Sequence, residues 1–490
     1  FKNLFKFKHY SLKMDSKKIG FWSGIVLFAA ILIFFNPDDL SQRGQITAAV
    51  FILMGIWWAT EALPLPATAL IPIIAFPLLG VEEIGVLSKE YMNKVQFLFA
   101  GGFMIAIAMQ KWNLHKRIAL LVLSITGFRS ERLIAGFMIA SFILSMWIMN
   151  TSTTIMLLPI GISIIQAIND SIKNLSEDQK LNFQVCLLLG IAYSSSLGGI
   201  TTPIGTAPNG VLIQYAFENY NLDIGFIDWF SIAAPFSILT LPIIWFVLTK
   251  FLFPINFSDT GSAEKILLEI KDELGVMSKE EKIVSFVFLF TALGWVFRKI
   301  IDDLPFLFLL EDAVISMMGG LSLFFLTSNK KRLLDWEDIQ NKFPWGLIFL
   351  FGGGMTLAYV VNDSGLAIWL ANLVPSEASL ILVLFIVIAM VIALTELTSN
   401  LTTTITFIPI IAGIGINIGV NPMLLIVPLT IAASCAFMLP VATPPNSIVY
   451  ASGYIPISRM VRAGIFLNII CGLLLLALNY LFPNSFQLFV

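Results

Sequence analysis

The chain alternates between apolar runs of helix-spanning length and short charged patches. A bilayer core of about 30 Å takes roughly 20 apolar residues in a helix. Counted on that basis, the pattern predicts eleven spans, near 20–36, 45–61, 66–80, 95–110, 182–215, 230–253, 283–300, 311–327, 345–361, 422–450 and 461–482. Two further apolar stretches, 133–168 and 379–419, each carry a polar cluster in the middle. Each is read as a hairpin that dips into the membrane and returns. Non-helical backbone survives at that depth only under cover of protein or around a wet cavity, so both hairpins point to a site. The expected fold class is an all-α polytopic membrane protein with about 11 transmembrane helices plus two re-entrant helical hairpins.

Charge supports this path. Arg43, Lys89, Lys94, Arg298 and Lys299 fall on one side of the membrane, and the other 24 of the 29 Lys and Arg residues fall on the opposite side. Had either hairpin been a single crossing, every later segment would change sides, so the asymmetry supports eleven spans plus two re-entrant hairpins. Basic residues concentrate in the cytoplasm, which puts the N-terminal tail, with six lysines in residues 1–19, inside. The run Ile19–Phe35 ends in Asn36-Pro37-Asp38-Asp39 without a small-x-small cleavage site, so it reads as a first membrane helix and not a signal peptide. Residues 20–44 then hold that helix and its outer loop. The polar stretch 255–282 is a cytoplasmic connector, partly helical.

The two parts flanking that connector, 45–254 and 283–490, are related. Phe97-Leu98-Phe99-Ala100-Gly101-Gly102 recurs as Phe349-Leu350-Phe351-Gly352-Gly353-Gly354. Asn150-Thr151-Ser152-Thr153-Thr154-Ile155 recurs as Asn400-Leu401-Thr402-Thr403-Thr404-Ile405, and Thr206-Ala207-Pro208-Asn209 as Thr443-Pro444-Pro445-Asn446. Three matches in the same order, at offsets of 252, 250 and 237, mark an internal repeat. Five spans separate equivalent points, so the halves are inverted. Inverted repeats with interrupted helices at matched positions are the signature of a secondary transporter with its site near the midplane.

Composition agrees. Hydrophobic residues make up 58% of the 490 and charged residues only 12%, against about a quarter charged in soluble domains. A net charge of -2 gives no reason to expect a nucleic-acid partner. Cys186, Cys435 and Cys471 all sit in apolar segments and read as packing residues. His9 and His115 are the only histidines, and no hydrolase or nucleotide-binding motif occurs. An enzyme is therefore excluded, and the absence of a filter sequence argues against a channel.

Candidate site residues lie at the two hairpin tips, which hold Ser145, Asn150, Thr151, Ser152, Thr153 and Thr154 in one half and Thr395, Thr398, Ser399, Asn400, Thr402, Thr403 and Thr404 in the other. A lone Ser or Thr in a helix often bonds back to its own turn. A buried Asn needs external partners, so two at equivalent positions indicate a binding site. Gly198, Gly199, Pro203, Gly205 and Pro208, and later Pro440, Pro444 and Pro445, interrupt helices and free carbonyls for a hard cation and N–H groups for an anion. None of these motifs contains Lys or Arg. An anionic solute would then be offset by helix N-termini and co-bound cations. Glu396 is the one acid inside a motif and is read as a brace for its hairpin. Glu61 is read as a turn residue.

These motifs, Met149-Asn150-Thr151, Thr398-Ser399-Asn400-Leu401 and Ala442-Thr443-Pro444-Pro445-Asn446, resemble the divalent anion/sodium symporter family over residues 45 to 482. Members of that family carry dicarboxylates, citrate or sulfate. The resemblance implies sodium-coupled symport of a small dianion, a C4-dicarboxylate such as succinate, by a homodimer in the bacterial cytoplasmic membrane, with scaffold and elevator transport domains. It puts substrate contacts on Asn150, Thr151, Ser399, Asn400 and Thr443. It puts one sodium ion on Ser145, Met149, Asn150 and Gly198, and another on Thr395, Thr398, Asn400 and Ala442. Met149 stands where the family has Ser, and Leu401 where it has Thr. The alternatives are sodium-coupled sulfate transport and sodium-independent dicarboxylate exchange.

Overall fold

The computed structural model describes residues 2–172, 175–255, 257, 261–302, 309–328 and 331–486, with side chains from Lys17 onward, Asp302 excepted. Lys173, Lys330 and the lysine side chains before Lys17, used in the charge count, lie outside the described residues.

Helices α1 (Lys2–Phe34) and α2 (Gln42–Thr60) lead into two short helices, Leu65–Thr68 and Ile71–Leu78. Next come α3 (Lys94–Lys111), α4 (Leu114–Thr126), α5 (Ser130–Ser145) and α6 (Asn150–Ser171). They are followed by α7 (Glu177–Thr201), α8 (Ala207–Tyr220) and α9 (Phe226–Phe246), the last continuing through a wider turn at Val247–Leu252. The connector carries α10 (Gly261–Leu274), ahead of α11 (Lys279–Asp302) and α12 (Asp312–Phe325). Thr327–Ser328 pairs with Lys331–Arg332 in a two-residue antiparallel ladder. The second half follows with α13 (Trp345–Asp363), α14 (Leu366–Ala371), α15 (Leu380–Thr395), α16 (Asn400–Asn417), α17 (Met423–Ala433), α18 (Pro444–Ala451) and α19 (Ile457–Leu481).

The order α3 to α9 is repeated by α13 to α19. Nine helices among the described residues are long and apolar enough to cross a membrane, and shorter apolar helices accompany them. The first limbs of the two hairpins, α5 and α15, are both 16 residues long. At 1.5 Å per residue each reaches about 24 Å, short of a bilayer core. A four-residue break follows in each, Met146–Met149 and Glu396–Ser399. Both limbs of the first hairpin pack on α7, and both limbs of the second on α17, as folded-back limbs do.

The halves interlock. Helix α6 packs on α18, and α8 packs on α16, so each hairpin lies against the broken helix of the other half. Phe99 and its counterpart Phe351 meet with ring centroids 5.3 Å apart, which marks the pseudo-twofold axis. A Cβ on Gly101 would fall 2.3 Å from the Ser316 backbone, and one on its counterpart Gly353 1.9 Å from that of Ala69. Only glycine permits these two close helix approaches.

Some elements differ from the sequence pattern. The span expected at 66–80 is two short helices, because Pro64, Pro66, Pro72 and Pro77 deny it continuous backbone bonding. Helix α4 adds an amphipathic segment that the span count did not contain. Glu61 takes a left-handed conformation (φ 49°) at the end of α2, the turn expected of it. The ion pairs give an independent test of the path. Lys94–Asp223, Arg298–Asp223 and Arg43–Asp363 join residues on one charge-assigned side, while Lys111–Asp338, Arg117–Glu281 and Lys250–Glu131 join residues on the other.

Candidate functional site

The two tips share one local geometry. In the first, the Ser145 hydroxyl donates to Asn150 Oδ1 at 2.7 Å. In the second, Thr395 donates to Asn400 Oδ1 at 2.9 Å. Four residues into each second limb, Thr154 and Thr404 donate back to the carbonyls of Asn150 and Asn400 at 2.9 and 2.8 Å. The residues that open these limbs, Met149 and Ser399, are both extended, and neither side chain caps its helix. Met cannot cap. Ser399 could, and its hydroxyl is instead left available. The first-turn N–H groups of α6 and α16 therefore keep their donors for another partner.

The broken helices are built to one plan as well. Asn209 Nδ2 donates to the carbonyls of Gly199 (3.1 Å) and Thr202 (2.7 Å), ten and seven residues back. Asn446 Nδ2 donates to Ala436 and Leu439, at the same separations and 3.1 Å each. Each carboxamide thus splints the carbonyls that a helix break exposes. Both Asn Oδ1 atoms are buried without a hydrogen-bond partner. Buried acceptors of this kind call for a donor or a cation. Counterpart carbonyls are also matched: Ile200 accepts from Trp229 Nε1 at 2.9 Å, and Phe437 from Tyr193 Oη at 2.7 Å.

The predicted site residues cluster within each half. A Cβ on Gly199 would fall 2.3 Å from Asn150 Oδ1, so the glycine pair Gly198–Gly199 lies against the first tip. Gly198 lies against the Phe142 backbone, where a Cβ would fall 2.2 Å from the carbonyl oxygen, while Ser145, Asn150 and Gly199 meet at the first tip. Thr395 and Asn400 form its counterpart, and Thr395 also donates to Ala433 at 2.6 Å. Thr398 bonds Leu394 and Thr403. Thr443 caps α18, accepting from Asn446 N at 3.3 Å. Ala442 is buried in the unwound stretch. Leu401 is buried in the apolar core, whereas its counterpart Thr151 is partly exposed.

Glu396 is a brace. Its carboxylate accepts from the backbone N–H groups of Met438 and Leu439 at 2.8 Å each and from Asn468 Nδ2 at 2.6 Å. Asn468 in turn accepts from Phe437 N at 3.3 Å. This accounts for a difference between the halves. The break after α17 runs ten residues, Ser434–Thr443, but that after α7 only five, Thr202–Thr206. Three successive N–H groups freed by the longer break find acceptors in Glu396 and Asn468. In the first half the same junction is tied the other way, with the Thr202 hydroxyl donating to the Met146 carbonyl.

With this geometry in view, the comparisons are decisive. The family model for the sodium:sulfate symporter transmembrane region matches residues 16–487. The chain belongs to the divalent anion/sodium symporter family. It is a polytopic membrane transporter and not an enzyme. The sodium-dependent dicarboxylate transporter SdcS of Staphylococcus aureus strain USA300 is 36% identical over 470 residues, covering 94% of this chain and 90% of the relative. SdcS of strain COL matches to the same extent. The crystal structure of the Alcanivorax borkumensis YdaH transporter, titled as having an unusual topology, aligns with a TM-score of 0.54 at 13% identity. It covers 88% of this chain and 98% of that one. At that identity the likeness speaks for the fold alone.

Asn468 and the splinting role of Asn209 and Asn446 were not read from the sequence. The Pro-Asn repeat was a signal for the splints, and a single Asn in an apolar helix was the signal for Asn468.

Proposed function

We propose that this transporter couples sodium to the movement of a small dianion, a C4-dicarboxylate such as succinate. The observation that carries this reading is the duplicated tip: an Asn held by a hydroxyl at an uncapped helix N-terminus, once in each half, with no Lys or Arg in the motifs. Uncapped N-termini offer N–H donors and roughly half a positive charge each. Two of them leave a dianion incompletely neutralised, and sodium ions supply the remainder. The orphaned Oδ1 atoms of Asn209 and Asn446 are the type of oxygen that hard cations favour. A tip from each half suits a guest with a carboxylate at each end, and the named activity of SdcS supports the same substrate.

In this reading Asn150, Thr151, Ser399, Asn400 and Thr443 hold substrate. Ser145, Met149, Asn150 and Gly198 hold one sodium, and Thr395, Thr398, Asn400 and Ala442 a second. Residues 45–254 and 283–490 are the two repeats. The protein works as a homodimer with its N-terminus in the cytoplasm, and a unit built on the two hairpins moves against a scaffold as an elevator. Sulfate is the second reading. Burial of Leu401 removes a hydroxyl that the first tip has in Thr151, which favours a more compact anion.

Uptake of labelled succinate and sulfate into proteoliposomes, with and without an inward sodium gradient, tests both. The expected result is saturable, sodium-driven succinate uptake. Sodium-driven sulfate uptake alone selects the second reading, and uptake indifferent to sodium overturns the coupling.

A further inference from the structure

The halves match in fold but differ in how their tips are covered. In the first half, Trp147 of the tip stacks with Trp295 of α11, ring centroids 6.3 Å apart and nearly parallel, and with Phe226 at 5.7 Å. Leu98, Ile204 and Ile315 complete this cluster. It joins the hairpin tip and the α7–α8 break to α3, α11 and α12. Ile204 is 5% exposed and Phe226, which opens α9, is 3% exposed.

In the second half, the counterpart of Trp147 is Leu397, that of Ile204 is Val441, and the residue opening α19 is Ile457. These are 65%, 63% and 49% exposed. One tip is docked and its symmetry mate is bare. The close glycine contacts of Gly101 and Gly353 make the segment around Ser316 the counterpart of that around Ala69. The counterpart of the α12 side of the Trp147 dock is therefore the Leu65–Leu78 segment.

We infer that Trp147 and Leu397 are positioning residues on which the two tips dock alternately, so that this structure is one end state and the other is reached by releasing Trp147 and seating Leu397. The inference rests on the transporter reading. In an inverted repeat the two end states exchange the environments of the halves, so the set that is bare in one state is the one docked in the other. Trp295 lies one turn from Arg298 and Lys299, at the end the charge count assigns to the outside. A crevice lined by Gln110, Met149, Ser152 and Lys342 reaches the first tip from the other end. The tip is thus sealed toward the outside and approached from the inside.

The test is the reaction of Leu397→Cys with a water-soluble maleimide in detergent and sodium, with the parent chain as control, since its three cysteines are buried. Leu397→Cys should react readily. Adding Trp147→Ala weakens the present dock, shifts the population toward the state that seats residue 397, and should slow labelling about twofold or more. Adding Trp147→Phe should restore most of the rate. Trp295→Ala, which empties the other side of the stack, should act as Trp147→Ala does and substitutes for it should that variant fail to fold. An unreactive Leu397→Cys, or a rate unchanged or raised by loss of the stack, overturns the inference. Labelling needs no substrate, so its outcome is independent of whether succinate is carried.

Discussion

An asparagine inside an apolar helix brings two donors and an acceptor oxygen that need partners, and four of them are used here in two matched pairs, with the Oδ1 atoms of Asn209 and Asn446 left unpartnered. Asn150 and Asn400 are each oriented by one hydroxyl, while Asn209 and Asn446 spend their N–H groups on exposed carbonyls. Asn150→Ala and Asn400→Ala should each abolish uptake while elution and thermal unfolding stay near those of the parent, because the tips are only partly buried. Retained uptake in both would remove these residues from the site. Ser145→Ala and Thr395→Ala each remove one hydroxyl and should raise the sodium concentration for half-maximal uptake more than that for succinate. Equal shifts in both would argue for a general loss of order. The Asn pair was legible because the surrounding sequence repeats. Trp147 was not, since a Trp in an apolar run has the same appearance whether it faces lipid or a neighbouring helix.

At the scale of elements, the tips and breaks hold together because side chains supply what the helices lose. Glu396 takes two backbone N–H groups and Asn468 a third. A lost hydrogen bond to a buried charge costs on the order of 1.5–3 kcal/mol, so Glu396→Ala should lower thermal stability markedly and uptake with it. Stability equal to the parent would mean that the unwound stretch is held by something else. The hairpins were legible as apolar runs with polar centres. The extents of the breaks were not, because Ser434–Thr443 contains Cys435, Ala436 and Phe437, whose side chains fit a buried helix. Their unwinding depends on an acceptor 42 residues before Met438 and an amide 31 residues after Phe437. The close approach of Gly464 to the Met438 backbone, where a Cβ would fall 2.2 Å from its Cα, is likewise invisible before folding.

At the scale of the whole molecule, charge sorts to two ends. The linker residue Asp223 pairs with Lys94 at 2.9 Å and with Arg298 at 2.9 Å. Burial alone would raise its pKa, but the Lys94 ammonium and the Arg298 guanidinium outweigh burial and hold it below the ordinary value. A depressed carboxylate adds stability in full above its unfolded pKa of about 4 and loses it as pH falls through the lower folded value. Asp223→Asn should therefore lower the unfolding temperature at pH 7, and the gap should close as the medium is acidified below pH 4. A gap that persisted would place its origin elsewhere. The grouping of segments into two ends was legible because basic residues divide so unevenly, and a single crossing in place of the first hairpin would have put Lys94 and Asp223, or Lys111 and Asp338, on opposite sides. The cross-packing of each hairpin on the other half's broken helix was not legible, since periodicity says which residues are apolar and not which helix they meet. The central claim is that two mirrored tips hold one anion with sodium beside it. An experimental structure with sodium and succinate bound tests this most directly. The account predicts ligand density between Asn150 and Asn400, with ion density beside Ser145 and Thr395. Ligand density at one tip only, or away from both, would contradict it.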